Sequence, residues 1–259
     1  MKDNNYWRVW GIVYPVGIYF VVTNLVMFVL GNVWRMTNEN YMIQHIIATA
    51  AACPFLYSFY RRDKGQSAVM EDGRKGTAAA FLTGAGFALA VALAGVALNN
   101  LIGYTGLKET SENYRQVSDA FYGGGLWLSI WGSCLLVPLL EELLYRGIVY
   151  RRLRAWVGVW PAVFVSALIF GAMHFNLVQF LYAGLIGILL AVTAERAGLA
   201  AAMAAHMLTN LISVLRSQTH WFDFMHASQA AGYAATAVTA VLAAVLFLVL
   251  CRRENSRCG

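Results

Sequence analysis

The sequence predicts an all-α protein: a polytopic membrane helix bundle of about eight transmembrane helices, with both termini cytoplasmic. Three observations carry this. The 259 residues are 59% hydrophobic and only 12% charged, whereas a soluble domain carries about a quarter charged residues. Apolar stretches near the ~20 residues that a helix needs to cross hydrocarbon recur along the chain. The basic residues fall in alternate loops, as the positive-inside rule requires of a multi-pass protein.

The expected spans are about 9–31, 41–60, 77–102, 126–147, 158–174, 177–194, 198–215 and 229–251. The fifth, with Pro161 at its start, is short, and the third is long enough to tilt. Arg61, Arg62, Lys64, Arg74 and Lys75 lie between spans two and three. Arg151, Arg152 and Arg154 follow span four, Arg196 follows six, and Arg252, Arg253 and Arg257 follow eight. With Lys2 and Arg8 these mark one side as cytoplasmic; the other holds only Arg35, Lys108, Arg115 and Arg216. The net charge of +6 therefore reflects membrane orientation rather than affinity for nucleic acid. The first span follows Lys2 and Arg8 without a small-residue cleavage site, so it reads as a retained span.

The chain is expected to be a single transmembrane domain over 1–259, with no repeat at a fixed period. Cys53, Cys134, Cys251 and Cys258 show neither disulfide nor zinc spacing. The longest outer loop, Tyr104 to Gly125, reads as a solvated connector or short surface helix ending in a Gly123-Gly124-Gly125 hinge or entry turn. Small residues such as Gly84-Ala85-Gly86 read as helix-packing surface.

The chemistry gathers in Val137 to Arg154, V-P-L-L-E-E-L-L-Y-R-G-I-V-Y-R-R-L-R. Glu141 and Glu142 end an apolar run, and a charge in hydrocarbon costs at least ~2.5 kcal/mol on insertion scales. Arg146, four residues after Glu142, shares its helical face and can pair with it. Glu141 points about 100° away and is left to face something else. Pro138 lacks a backbone donor and can open the helix just upstream. A purely structural ion-pair network is the plain alternative.

Phe170 and His174 share a face at i and i+4 on span five, as do His206 and Asn210 on span seven. Glu141 lies thirteen residues before Arg154, and His174 fourteen after Trp160. Across a turn at 155–160, antiparallel helices bring Glu141 and His174 to one depth. Burying these polar groups separately is costly, so they are expected round one small cavity. His45 reads as interfacial, and His220 and His226, beside Trp221 and Phe222, as an interfacial belt.

A poorly solvated carboxylate beside a histidine is suited to act as a general base on water. A histidine one turn from an asparagine offers donors for an oxyanion, typically worth ~3 kcal/mol each. Amide hydrolysis needs both. The same Glu141, His174 and His206 could instead hold zinc, with one position left for water. The chain has no H-E-x-x-H, no G-x-S-x-G and no pair of intramembrane aspartates.

At these residues the sequence resembles the family of CAAX proteases and bacteriocin-processing enzymes, the CPBP or Abi family. Its pattern E-E-x-x-x-R, F-x-x-x-H, H-x-x-x-N is met by Glu141 to Arg146, Phe170 to His174 and His206 to Asn210. The resemblance covers about 126–215, and the first three spans add no motif. It implies an intramembrane endopeptidase that cuts a membrane-embedded or lipidated peptide without a cofactor. Glu141 and His174 would activate water, His206 and Asn210 would hold the carbonyl and its oxyanion, and Glu142, Arg146 and Phe170 would support them. The implied location is a cell membrane, that of the bacterial cytoplasm. Two rival readings remain: a non-proteolytic adaptor or immunity protein of the same fold, and a proton-coupled transporter, for which no inverted repeat speaks.

Overall fold

The computed structural model describes residues 5–66 and 77–258, and it contains helices and turns but no strand among them. In chain order these are α1 (Asn5–Val33), α2 (Asn38–Gln66), α3 (Ala78–Tyr104), α4 (Leu107–Thr110) and α5 (Glu112–Tyr122). The long helical stretch Leu126–Val157 is α6. It is followed by α7 (Val159–Ala172), α8 (Leu177–Ala197), α9 (Leu199–Gln218), a 3₁₀ turn (Asp223–His226) and α10 (Gln229–Cys258). The basic positions Lys2, Arg74 and Lys75 lie outside the described residues.

Among the described residues seven helices (α1, α2, α3, α6, α8, α9 and α10) are long and apolar enough to cross a membrane. The eighth expected span, α7, has 14 residues. At 1.5 Å per residue that is about 21 Å, short of a ~30 Å hydrocarbon core. Its end is set locally. Phe175 takes φ 55°, and the Asn176 side chain accepts from the Gln179 N–H at 2.8 Å to start α8. Helix and cap thus fix a tight tip at 173–176.

α7 and α8 form an antiparallel hairpin on small residues. A Cβ at Gly171 would lie 2.9 Å from the Phe180 carbonyl, and one at Gly187 would press on Ala167 and Phe170. Close backbone approach of this kind is how helices associate in lipid. Because the hairpin returns on itself, its two ends share a side of the membrane whether or not the tip emerges. The short helix therefore leaves the expected orientation to be tested. Reporter fusions after Lys75, Arg154, Arg196 and Gly259 are expected to report one side, the cytoplasm, and a fusion after Arg115 the other. A shared signal at Arg115 and Arg154 would break the arrangement.

The two ends of the bundle are built differently. At one end Arg152 grips Asp63 at 2.7 and 2.9 Å and also donates to the Gly11 carbonyl. Arg154 grips Glu195 at 2.8 Å through two nitrogens, and the Tyr150 hydroxyl donates to the same carboxylate. These bidentate pairs tie α6 to α1, α2 and α8, a geometry that fixes orientation as well as charge. At the other end α4 and α5 lie across the bundle, so the expected connector is helical. Gly123 sits so close to Asn38 that a Cβ would be 2.7 Å from its carbonyl. Gln218 donates to the Tyr122 carbonyl at 3.3 Å, and Asn113 to that of Phe175 at 3.2 Å.

α6 is not a uniform α-helix. Ile130–Leu136 and Tyr145–Tyr150 are π-helical and flank an α-helical Val137–Leu144. Pro138 supplies no N–H, and the Val137 N–H reaches back five residues to the Gly132 carbonyl. Local widening upstream of the proline follows from that lost donor. π-turns inside helices are frequent at functional sites, and here they bracket both glutamates.

Candidate active site

The deepest part of the site is a buried charge cluster. Glu142 is fully buried and accepts, on one oxygen, from Arg146 at 2.8 Å and from His206 Nδ1 at 2.9 Å. Arg146, equally buried, also donates to the Gly187 carbonyl at 3.0 Å. Its guanidinium lies 4.6 Å from the centre of the Phe170 ring. A cation stacked on an aromatic face and paired with a carboxylate is the form in which a buried guanidinium is tolerable. Through this one side chain α6, α7 and α8 are joined, and Glu142 adds α9. The i, i+4 spacing anticipated the Glu142–Arg146 pair; His206, 64 residues away, enters it unannounced.

Glu141 faces the other way, into a cavity of about 400 Å³ whose wall also includes His174, His206, Asn210, Phe170 and Tyr145. Its Oε2 lies 3.8 Å from His206 Nε2. That separation is too long for a direct hydrogen bond, the range in which a water can bridge. A carboxylate can only accept, so the His206 nitrogen against Glu142 carries hydrogen. Nε2 is then a lone pair in the neutral ring and a donor in the imidazolium.

His174 stands at the tip of the α7–α8 hairpin with Nδ1 2.9 Å from the Phe170 carbonyl. A carbonyl also only accepts, which puts the hydrogen on Nδ1 and leaves Nε2 as the second ring nitrogen. The ring meets Phe170 edge-on at 5.1 Å, and His206 meets the same ring at 5.7 Å. Phe170 therefore spaces the two histidines. Gly158, with φ 83°, makes the turn that folds α7 back on α6; only glycine takes that conformation without strain. Asn210 donates to the Ser133 carbonyl at 2.7 Å, which holds one amide hydrogen on the π-helical segment and leaves the other.

Residues of the first two helices complete the wall. Tyr19 and His45 line the cavity. His45 stacks on Tyr41 at 5.8 Å and meets Phe121 at 5.4 Å, so it belongs to the cavity rather than to an interface. No motif marks Tyr19. Tyr145 had a signal in its i+4 spacing from Glu141. Outside the spans, Lys108 joins the wall, bonded to the Asn99 carbonyl and side chain, and burial pushes its ammonium down to about 8. His220 is exposed and pairs with Asp223 at 2.8 Å beside an exposed Trp221.

Among the described residues no three His, Cys, Asp or Glu side chains converge as a metal-ligand set. The Nδ1 hydrogens of His206 and His174, held by Glu142 and by the Phe170 carbonyl, leave both Nε2 atoms open, a disposition that suits a proton or a metal ion alike.

Fold and site together define a polytopic helical membrane protein with carboxylates and histidines gathered at an internal cavity. Residues 123–212 match the family model "Rce1-like: Type II CAAX prenyl endopeptidase Rce1-like". That segment holds all three motifs, and over it the chain is similar to the type II CAAX prenyl endopeptidases. No curated protein and no solved structure matches the chain.

Proposed function

We propose that the protein is a glutamate-dependent intramembrane endopeptidase that hydrolyses a peptide bond of a membrane-associated substrate. The observation that carries the reading is Glu141 in the cavity wall, free of the Arg146 pair and 3.8 Å from His206 Nε2. The match of residues 123–212 to that family model supports protease activity of the CAAX type. Glu141, with His174 beside it, takes a proton from water as the oxygen adds to the scissile carbonyl carbon. The negative charge that forms on the carbonyl oxygen is met by His206 and by the remaining amide hydrogen of Asn210. The proton held by Glu141 passes to the departing nitrogen, the C–N bond breaks, and a new carboxylate and amine result.

His206 suits this role because Glu142 holds its Nδ1 and leaves Nε2 toward Glu141 and the cavity. Asn210→Ala removes one oxyanion donor and is expected to lower turnover about a hundredfold or more. Asn210→Asp, of the same size but without the donor, is expected to be no better.

The test is purified protein in lipid, incubated with membrane peptides and read by mass spectrometry of the fragments, with and without exhaustive chelation. Cleavage that survives chelation supports the reading. Cleavage that stops and returns with stoichiometric metal assigns the same cavity a different chemistry. A preparation that binds peptides and never cuts them favours the adaptor reading.

A further inference from the structure

We propose that Pro138 is a positioning residue for Asn210: by withholding a backbone N–H it leaves the Ser133 carbonyl to the Asn210 amide, which is thereby held with a donor toward the cavity. What that donor then does rests on the peptidase reading; how it is held does not.

In an α-helix the Ser133 carbonyl would accept from the Val137 N–H, and a proline at 138 would leave the carbonyl of Cys134 without its donor. Here the register is π. Ile130–Leu136 closes with the Val137 N–H on the Gly132 carbonyl, five residues back. The next bond of that series would run from residue 138 to Ser133, and Pro138 has no hydrogen to give. The open carbonyl is therefore that of Ser133 instead of Cys134. Both features are needed. Without the proline the series would close on Ser133, and without the π register the open carbonyl would lie one residue on. Ser133 lines the cavity with Val137 and Glu141, and Cys134 does not. Packing from α2 supports the register. A Cβ at Gly132 would run into Met42 Sδ and lie 3.2 Å from Ile46 Cγ1, so α2 presses on the widened turn. The Ser133 hydroxyl meets the same sulfur at 4.0 Å.

Asn210 Nδ2 donates to this open carbonyl at 2.7 Å. Because a carbonyl only accepts, the bond also decides which way round the amide lies. Turned over, the amide would set Oδ1 against the Ser133 oxygen, acceptor against acceptor. Held as it is, it keeps its second hydrogen for the cavity that Asn210 and Glu141 both line. An unanchored amide would present Oδ1 to a developing oxyanion in part of its population, and an oxyanion hole works through donors fixed before the charge forms. The bond has a companion one turn away on α9, from His206 to Glu142. The two together fix one face of α9 against α6 on either side of Pro138.

Pro138→Ala tests this, since it returns an N–H that can take the Ser133 carbonyl. Turnover is expected to fall in kcat with KM little changed, by up to the roughly hundredfold loss expected of Asn210→Ala. In an Asn210→Ala background the same change is expected to cost nothing more. Replacing Pro138 with lactic acid removes the ring but puts an ester oxygen where the N–H would be, and is expected to keep the parent's turnover. Parental turnover in Pro138→Ala would overturn the proposal. So would a lactic acid variant as poor as Pro138→Ala, because the ring and not the missing donor would then matter. A loss that adds fully to that of Asn210→Ala would do the same, being the mark of a displaced Glu141. Thermal midpoints read the anchor without activity. Asn210→Ala is expected to lower the midpoint in the parent, where it strands the Ser133 carbonyl, and to leave it unchanged in Pro138→Ala. Equal falls in both backgrounds would remove the anchor even with the peptidase confirmed, and a larger fall in the parent keeps it even if no cleavage is ever found.

Discussion

Glu141→Gln is expected to abolish peptide hydrolysis while the protein folds normally. The amide keeps the size of the side chain and its place in the cavity wall, but it cannot take a proton from water. General base catalysis contributes typically 10²–10⁴-fold, and because the same carboxylate returns the proton to the leaving nitrogen, the loss is expected at the upper end. Stability is expected to hold or rise slightly. Glu141 takes no part in the Glu142–Arg146 pair, and removing its charge relieves repulsion with neighbouring Glu142. The measurement is turnover of a fluorogenic or mass-tagged membrane peptide alongside thermal unfolding in the same detergent. Near-parental turnover would take Glu141 out of the mechanism and leave the cluster as a structural or binding device. His174→Ala tests the partner: a tilted or missing base lowers turnover, whereas a histidine that merely fills the hairpin tip affects stability alone.

Much of the fold was legible because membrane helices are written in length and apolarity. The seven long helices and the α7–α8 hairpin fall where hydropathy placed them. The shortness of α7 was less legible, since its end is fixed by the Asn176 cap and the backbone of Phe175 rather than by composition. Within the site, contacts along one helix could be foreseen: Glu142 with Arg146, and Phe170 with His174, both follow from i, i+4 geometry. Contacts between helices could not. The bond from His206 to Glu142 depends on the rotation of α6, which two π-helical segments and Pro138 set. Tyr19 and His45 enter the wall from helices without a motif, and Lys108 joins it because a polar connector lies across the bundle.

Glu142→Gln is expected to act on stability first. The substitution keeps an oxygen for Arg146 and His206, yet it removes the charge that makes a fully buried guanidinium tolerable. Breaking a buried pair in this way costs about 3–5 kcal/mol, because the partner is left as an uncompensated charge. Lower expression and a marked fall in thermal midpoint are the expected readouts. Arg146→Met is expected to be about as damaging, since it strands Glu142. The double replacement Glu142→Leu/Arg146→Met, apolar at both positions, is expected to recover much of the stability lost by either single change. Activity is expected not to follow. In the double variant His206 has no carboxylate at Nδ1 to orient the ring, so Nε2 is no longer held toward Glu141. Restored folding with turnover still low would identify Glu142 as a positioning residue acting through His206. Recovery of both would reduce the pair to scaffolding, and a Glu142→Gln protein as stable as the parent would refute the ion-pair role altogether.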